Sequence, residues 1–170
     1  MTGQDRFDPN TPELLEHNAR FAETFSDADL AVAPTRRLAV VACMDSRMDM
    51  FAILGLEDGE AHIIRNAGGV ITDDVIRSLC LSQRALGTRE IVLAHHTDCG
   101  LQKVTEDAFK AELAAELGVK PWWALESFED PYVDVRQSMR RIELTPFIPH
   151  KGDVRGFVYD VTTGALSEVE

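Results

Sequence analysis

Apolar residues along this chain follow two different spacings, and the changes between them mark out its elements. In residues 11–25, Leu14, Leu15, Phe21 and Phe25 fall on one stripe of a helix, with Thr11 as a candidate N-cap and Pro12 at the first helical position. The spacing predicts an amphipathic N-terminal helical arm. Residues 38–42 (LAVVA) then form a short continuous apolar run rich in β-branched side chains, the pattern of a strand buried on both faces. Similar runs occur at 62–64 and 91–94. Between those two, Val75, Ile76, Leu79 and Leu86 recur at helical spacing over residues 73–86, with Gly87 as the stop.

Strands that alternate with helices predict an α/β fold: a central, mainly parallel sheet flanked by helices. Further helices are expected at 106–117, ended by Gly118, and at 132–144, stopped near Pro146. A closing strand is expected at 154–161, with a turn at Thr163 and Gly164, and 120–131 (KPWWALESFEDP) reads as an irregular connection. No repeat or low-complexity tract divides the chain. The expectation is one domain over 1–170, with an arm at 1–35 and an α/β core at 36–170.

Charge removes several classes of partner. Asp plus Glu number 29 against 17 Lys plus Arg, a net charge of −12, and a surface of that sign repels nucleic-acid phosphates and anionic lipid. Neither a nucleic-acid nor a membrane partner is expected. The opening MTGQDRFDPN has no apolar stretch after a basic start, and no long uncharged run follows, so a cytoplasmic location is expected. Cys43, Cys80 and Cys99 are too few for a disulfide framework, which turns attention to metal binding or catalysis.

In open parallel sheets, ligands bind beyond the carboxyl ends of the strands. Two of the predicted strands deliver reactive side chains there. The 38–42 run leads directly into Cys43-Met44-Asp45-Ser46-Arg47, and the 91–94 run into His95-His96-Thr97-Asp98-Cys99. Zinc favours thiolate and imidazole donors in a tetrahedron. His96 and Cys99 at i and i+3 can meet on one ion, and Cys43 from a neighbouring strand would complete three protein ligands, leaving a fourth position open as in catalytic sites. A cysteine or histidine taken singly is more often a buried structural residue. Cys80, on a helix without a nearby histidine, and His95 are read that way.

The segments C-x-D-S-R (Cys43, Asp45, Ser46, Arg47) and H-x-x-C (His96, Cys99) together resemble the β-carbonic anhydrase family, and Arg65-Asn66-Ala67-Gly68-Gly69 looks like its RNAG element. The resemblance implies that Cys43, His96 and Cys99 bind Zn2+ and that Asp45 and Arg47 form a catalytic pair. It also implies reversible hydration of carbon dioxide to bicarbonate by a zinc-bound hydroxide, in a homodimer or higher homo-oligomer whose N-terminal helix lies on the partner. The arm at 11–25 suits that role, and also that of a helix packed on its own domain.

Two thiolates offset the charge of the ion, so activity is expected to rise through mildly alkaline pH. Asp45 either accepts a hydrogen bond from the attacking oxygen or closes the site as a fourth metal ligand; the Arg47 fork favours the former by pairing with the carboxylate. Gly68 and Gly69 suit either a close backbone approach to substrate or a turn before the helix. Hydrolysis of carbonyl sulfide or carbon disulfide on the same scaffold is the nearest alternative. A non-catalytic zinc-binding regulatory module, with all four positions filled, is the alternative from another class.

Overall fold

Strand β1, Leu38–Cys43, is buried along its whole length, and the rest of the fold is arranged around it. In the computed structural model, which describes residues 9–170, it pairs in parallel with β2 (Ala61–Asn66) on one side and with β3 (Glu90–His96) on the other. Strand β4 (Val154–Tyr159) adds in parallel beyond β3, and β5 (Leu166–Val169) closes the edge antiparallel to β4, giving the order β2-β1-β3-β4-β5. The helices are α1 (Thr11–Thr24), α2 (Met50–Leu54), α3 (Asp73–Arg84), α4 (Glu106–Leu117) and α5 (Pro131–Leu144). The α/β expectation of a mainly parallel sheet with flanking helices is therefore met. The chain divides into two compact units between Leu30 and Ala31, the first carrying α1 and the second every other element.

Side chains of a strand alternate between faces, and here both faces are covered. Leu38, Val40, Ala42, Val92 and Ala94 pack in one cluster with Met48, Met50 and Leu101. Ala39, Val41, Ile91 and Leu93 pack in another with Ile71, Val75 and Leu79 and with Ile142 and Ile148. Double burial is why β1 is apolar along its length and β3 is apolar over 91–94, ahead of its two terminal histidines. Leu93 is fully buried; Leu93→Ala is expected to cost about 2–5 kcal/mol through lost burial and the cavity left behind. The measurement is a shift of the urea unfolding curve to lower midpoint.

Several boundaries differ from expectation for local reasons. Asn10, not Thr11, is the N-cap of α1, so Pro12 lies one position further into the helix. Strand β2 sits at the sheet edge and is only partly buried, unlike the other two early strands. Strand β4 stops at Tyr159, because the Asp160 carboxylate accepts from Thr162 and Thr163 and turns the chain towards β5. Helix α2 and strand β5, of five and four residues, are too short to show a period and were not anticipated. Of the opening segment, residues 1–8 lie outside the described part.

The order places a switch point at the site. From β1 the chain moves outward to β2, then returns across β1 to β3, so the crevice at the carboxyl ends lies between β1 and β3. Cys43 ends one of these strands and His96 the other.

Candidate metal centre

Alternation along β3 sends its two terminal histidines to opposite faces. His95 points towards α5, where Nε2 is 2.7 Å from Asp134 Oδ2 and the ring lies against Phe128. His96 points to the crevice. There one ligand atom each from Cys43, His96 and Cys99 lies within 4.8 Å of the others, and all three residues are buried. Tetrahedral zinc with sulfur and nitrogen donors holds them roughly 3.6–3.8 Å apart, so a slight contraction completes the set. The Nδ1 of His96 is 2.9 Å from the Thr97 carbonyl. That bond places the proton on Nδ1 and leaves the Nε2 lone pair directed at the sulfurs. Nε2 is buried with no hydrogen-bond partner among the described residues. An orphaned buried nitrogen is costly; one facing two sulfurs fits a metal ligand.

Asp45 and Arg47 meet at the rim. Arg47 donates from its backbone N and Nε to Asp45 Oδ1, both at 2.9 Å, and from Nη2 to Oδ2 at 2.8 Å. This is a bidentate pair reinforced by the main chain. Asp45 Oδ2 also lies 3.7 Å from His96 Nε2, next to the metal-binding atoms. Arg65, from β2, holds this loop from beneath: it donates to the Cys43 carbonyl from Nε and Nη2 and to the Asp45 carbonyl from Nη2. Gly69, at φ +74, packs so closely behind Cys43 that a Cβ would stand 2.8 Å from its backbone nitrogen. Gly69 therefore lets the chain pass close behind the loop that carries Cys43. On the other side Gln102 accepts from the Cys99 N–H and donates to the Glu129 carbonyl, fixing the turn that carries Cys99.

Charge at the centre is organised by these contacts. The neighbouring Cys99 thiol holds Cys43 well below the ordinary thiol range despite burial, with His96 adding to the effect. The same neighbour contact, together with burial, pushes Cys99 well above that range. Burial opposes a charge on His96, yet the Cys43 sulfur, the Thr97 carbonyl and Asp45 raise its pKa overall. The Arg47 guanidinium holds the Asp45 carboxyl far below the usual carboxylate range. Metal binding requires both thiolates and a neutral imidazole, so it must displace the proton on Cys99 and any on His96. Zinc affinity is expected to fall as pH falls, and loading at neutral pH to release roughly one proton or more. Calorimetry in buffers of different ionisation enthalpy measures that number.

The five residues singled out from the sequence thus converge on one locus. Clefts of about 500 and 570 Å3 lie elsewhere, beside α5 and α3, so chemistry and not cavity size identifies it. Cys80 is half-buried on α3 and lines the second of these clefts, where a fully buried core position had been expected. His95 has the structural setting expected of it, although its Nδ1 has no partner among the described residues. Arg65 and Gln102 were missed as supporting residues. The RNAG segment and the C-x-x-Q spacing at Cys99, which matches a capping box, were the signals available.

A family model described as carbonic anhydrase matches residues 38–130. The chain is 53% identical over 159 residues to Beta-carbonic anhydrase 1 of Mycobacterium tuberculosis, covering 94% of this chain and 97% of that one. It is 35% identical over 156 residues to the carbon disulfide hydrolase of an Acidianus strain, covering 77% and 76%. Among solved structures, carbonic anhydrase from Streptococcus mutans superposes with a TM-score of 0.89 at 40% identity, covering 97% of this chain and all of that one.

Proposed function

This chain belongs to the β-carbonic anhydrase family, and on that footing we propose that Cys43, His96 and Cys99 hold the zinc at which it hydrates carbon dioxide to bicarbonate, with Asp45 and Arg47 as the catalytic pair. One observation carries this reading: two buried sulfurs and an unpartnered imidazole nitrogen share a locus small enough for one ion. When bound, zinc supplies Lewis acidity that yields a reactive oxygen nucleophile from water at moderate pH.

The residues around it perform the remaining tasks. Asp45, ionised by its pairing with Arg47, can only accept hydrogen bonds; it takes one from the attacking oxygen and so turns a lone pair towards the substrate carbon. Arg47 keeps the carboxylate on its own fork, so that the three residues that would hold zinc are Cys43, His96 and Cys99 and not Asp45. Arg65 and Gly69 fix the backbone that presents Cys43 and Asp45 together, so the pair is preorganised before substrate arrives.

Stopped-flow hydration by the zinc-loaded protein tests the reading. The rate is expected to rise from neutral to mildly alkaline pH, and a flat or falling profile would count against it. The carbon disulfide hydrolase relatives motivate a second reading, in which a linear sulfur analogue is the substrate; sulfide release from carbonyl sulfide or carbon disulfide, measured beside hydration, decides between them. The greater identity to the carbonic anhydrase relative favours carbon dioxide.

The enzyme acts in the cytoplasm as a homodimer or higher homo-oligomer in this reading. Its three cysteines are free, and two of them belong to the metal cluster; no helix of the described residues is long and apolar enough to cross a membrane. Helix α1 buries none of its residues and presents Leu14, Leu15 and Phe21, with Phe25 following, which supports docking of the arm at 1–35 on a second copy of the zinc-binding core at 36–170. Light scattering of the purified enzyme gives the oligomer size.

A further inference from the structure

The pairing of Asp45 with Arg47 leaves one side of the guanidinium to be explained. Arg47 is 43% exposed, so packing alone does not hold its planar group in place. Among the described residues its far side is occupied by Asp98 alone: Nη1 donates to Asp98 Oδ2 and Nη2 to the Asp98 carbonyl, both at 3.0 Å. The other carboxylate oxygen, Oδ1, lies 2.8 Å from Lys103 Nζ. A chain of alternating charge therefore runs Lys103, Asp98, Arg47, Asp45 and ends 3.7 Å from the imidazole nitrogen of His96.

Asp98 also has an unusual backbone. Its φ is +54, in the left-handed region that glycine occupies without cost and that other residues adopt at some expense. Aspartate is among the side chains that tolerate this region best, yet glycine would serve the turn between His96 and Cys99 more cheaply. The conformation turns the Asp98 carbonyl and carboxylate to the same guanidinium, which a turn by itself does not require. Strain of this kind is retained where the side chain has a task.

We propose that Asp98 is a positioning residue for the reaction: it clamps the outer edge of Arg47, so that the inner edge stays on the Asp45 carboxylate and keeps it from closing the metal site. The inference rests on the reading of Asp45 and Arg47 as the catalytic pair. Without the clamp, Arg47 retains its bonds to Asp45 but gains freedom to swing into solvent, and a carboxylate released by it has an electropositive metal site close by.

Asp98→Gly and Asp98→Asn separate this role from the needs of the turn, because both residues accept the left-handed backbone. The zinc-loaded variants are compared with the parent by stopped-flow hydration, by NMR exchange of the Arg47 Nε–H, by zinc content and by melting temperature. In both, kcat is expected to fall about tenfold, the size of one partly exposed charge-assisted hydrogen bond. KM should change less, since the pair acts on the attacking oxygen. The Arg47 Nε–H should exchange faster, while zinc content and melting temperature stay as in the parent. Parental kcat and parental exchange in both variants would show that Asp98 serves only the turn and overturn the proposal. Loss of zinc would overturn it too, by making Asp98 a builder of the metal site. Should the parent itself fail to hydrate carbon dioxide, the functional reading falls, and the Arg47 exchange rate still decides whether Asp98 is the clamp.

Discussion

Cys43→Ser is expected to remove zinc from the protein and hydration activity with it, while leaving the fold in place. Serine preserves the shape of the side chain at the end of β1 but offers an oxygen that stays protonated at neutral pH, where zinc favours thiolate and imidazole. Loss of a supporting partner in a metal site already costs roughly ten- to a hundredfold in affinity, and loss of a ligand should exceed that. The remaining pair, His96 and Cys99, comes from the single strand β3 and the turn after it, so the thiolate from β1 would have no replacement of its kind. Metal analysis after dialysis against a weak chelator, beside far-ultraviolet circular dichroism, reads both halves of the expectation. A variant that keeps stoichiometric zinc and full turnover would refute the assignment of Cys43 as a ligand.

Asp45→Asn should give the opposite separation, with zinc retained and turnover lost. The amide keeps the size of the carboxylate and one acceptor oxygen, but it loses the charge that Arg47 grips from its side chain and backbone. Its NH2 would face guanidinium donors with nothing to accept. The oxygen that takes a hydrogen bond from the nucleophile is then neither fixed nor anionic. Positioned acid, base and acceptor groups of this sort contribute about a hundredfold or more to rate. The loss should lie in kcat, with zinc content unchanged, and full activity in this variant would exclude Asp45 from the mechanism.

The two variants also show how differently the parts of the site were legible. Cys43, Asp45 and Arg47 form one short segment after an apolar run, and His96 and Cys99 form another, so the chemistry of each half is local. Strand ends were readable because β1 and the 91–94 part of β3 are covered on both faces and so are continuously apolar up to the reactive residues. Helix α4 begins and ends where its acidic first turn and Gly118 place it. By contrast, the clamp of Arg65 on two carbonyls involves residues 20 and 22 positions apart, and the grip of Asp98 on Arg47 spans 51. Neither leaves a periodic trace. Strand β5 escaped notice because its four residues have no continuous apolar face, and its pairing with β4 depends on the turn at Gly164.

By itself the sequence determined the donor types, the alternation of strand and helix, and the family, because these depend on residue identity and on spacing within a few turns. Only the tertiary structure decided that β1 and β3 are neighbours, with β2 sent to the outer edge. That order brings two sulfurs and an imidazole nitrogen within 4.8 Å. Strand order follows from the burial of both sheet faces by distant segments, a collective balance of packing that no local spacing records.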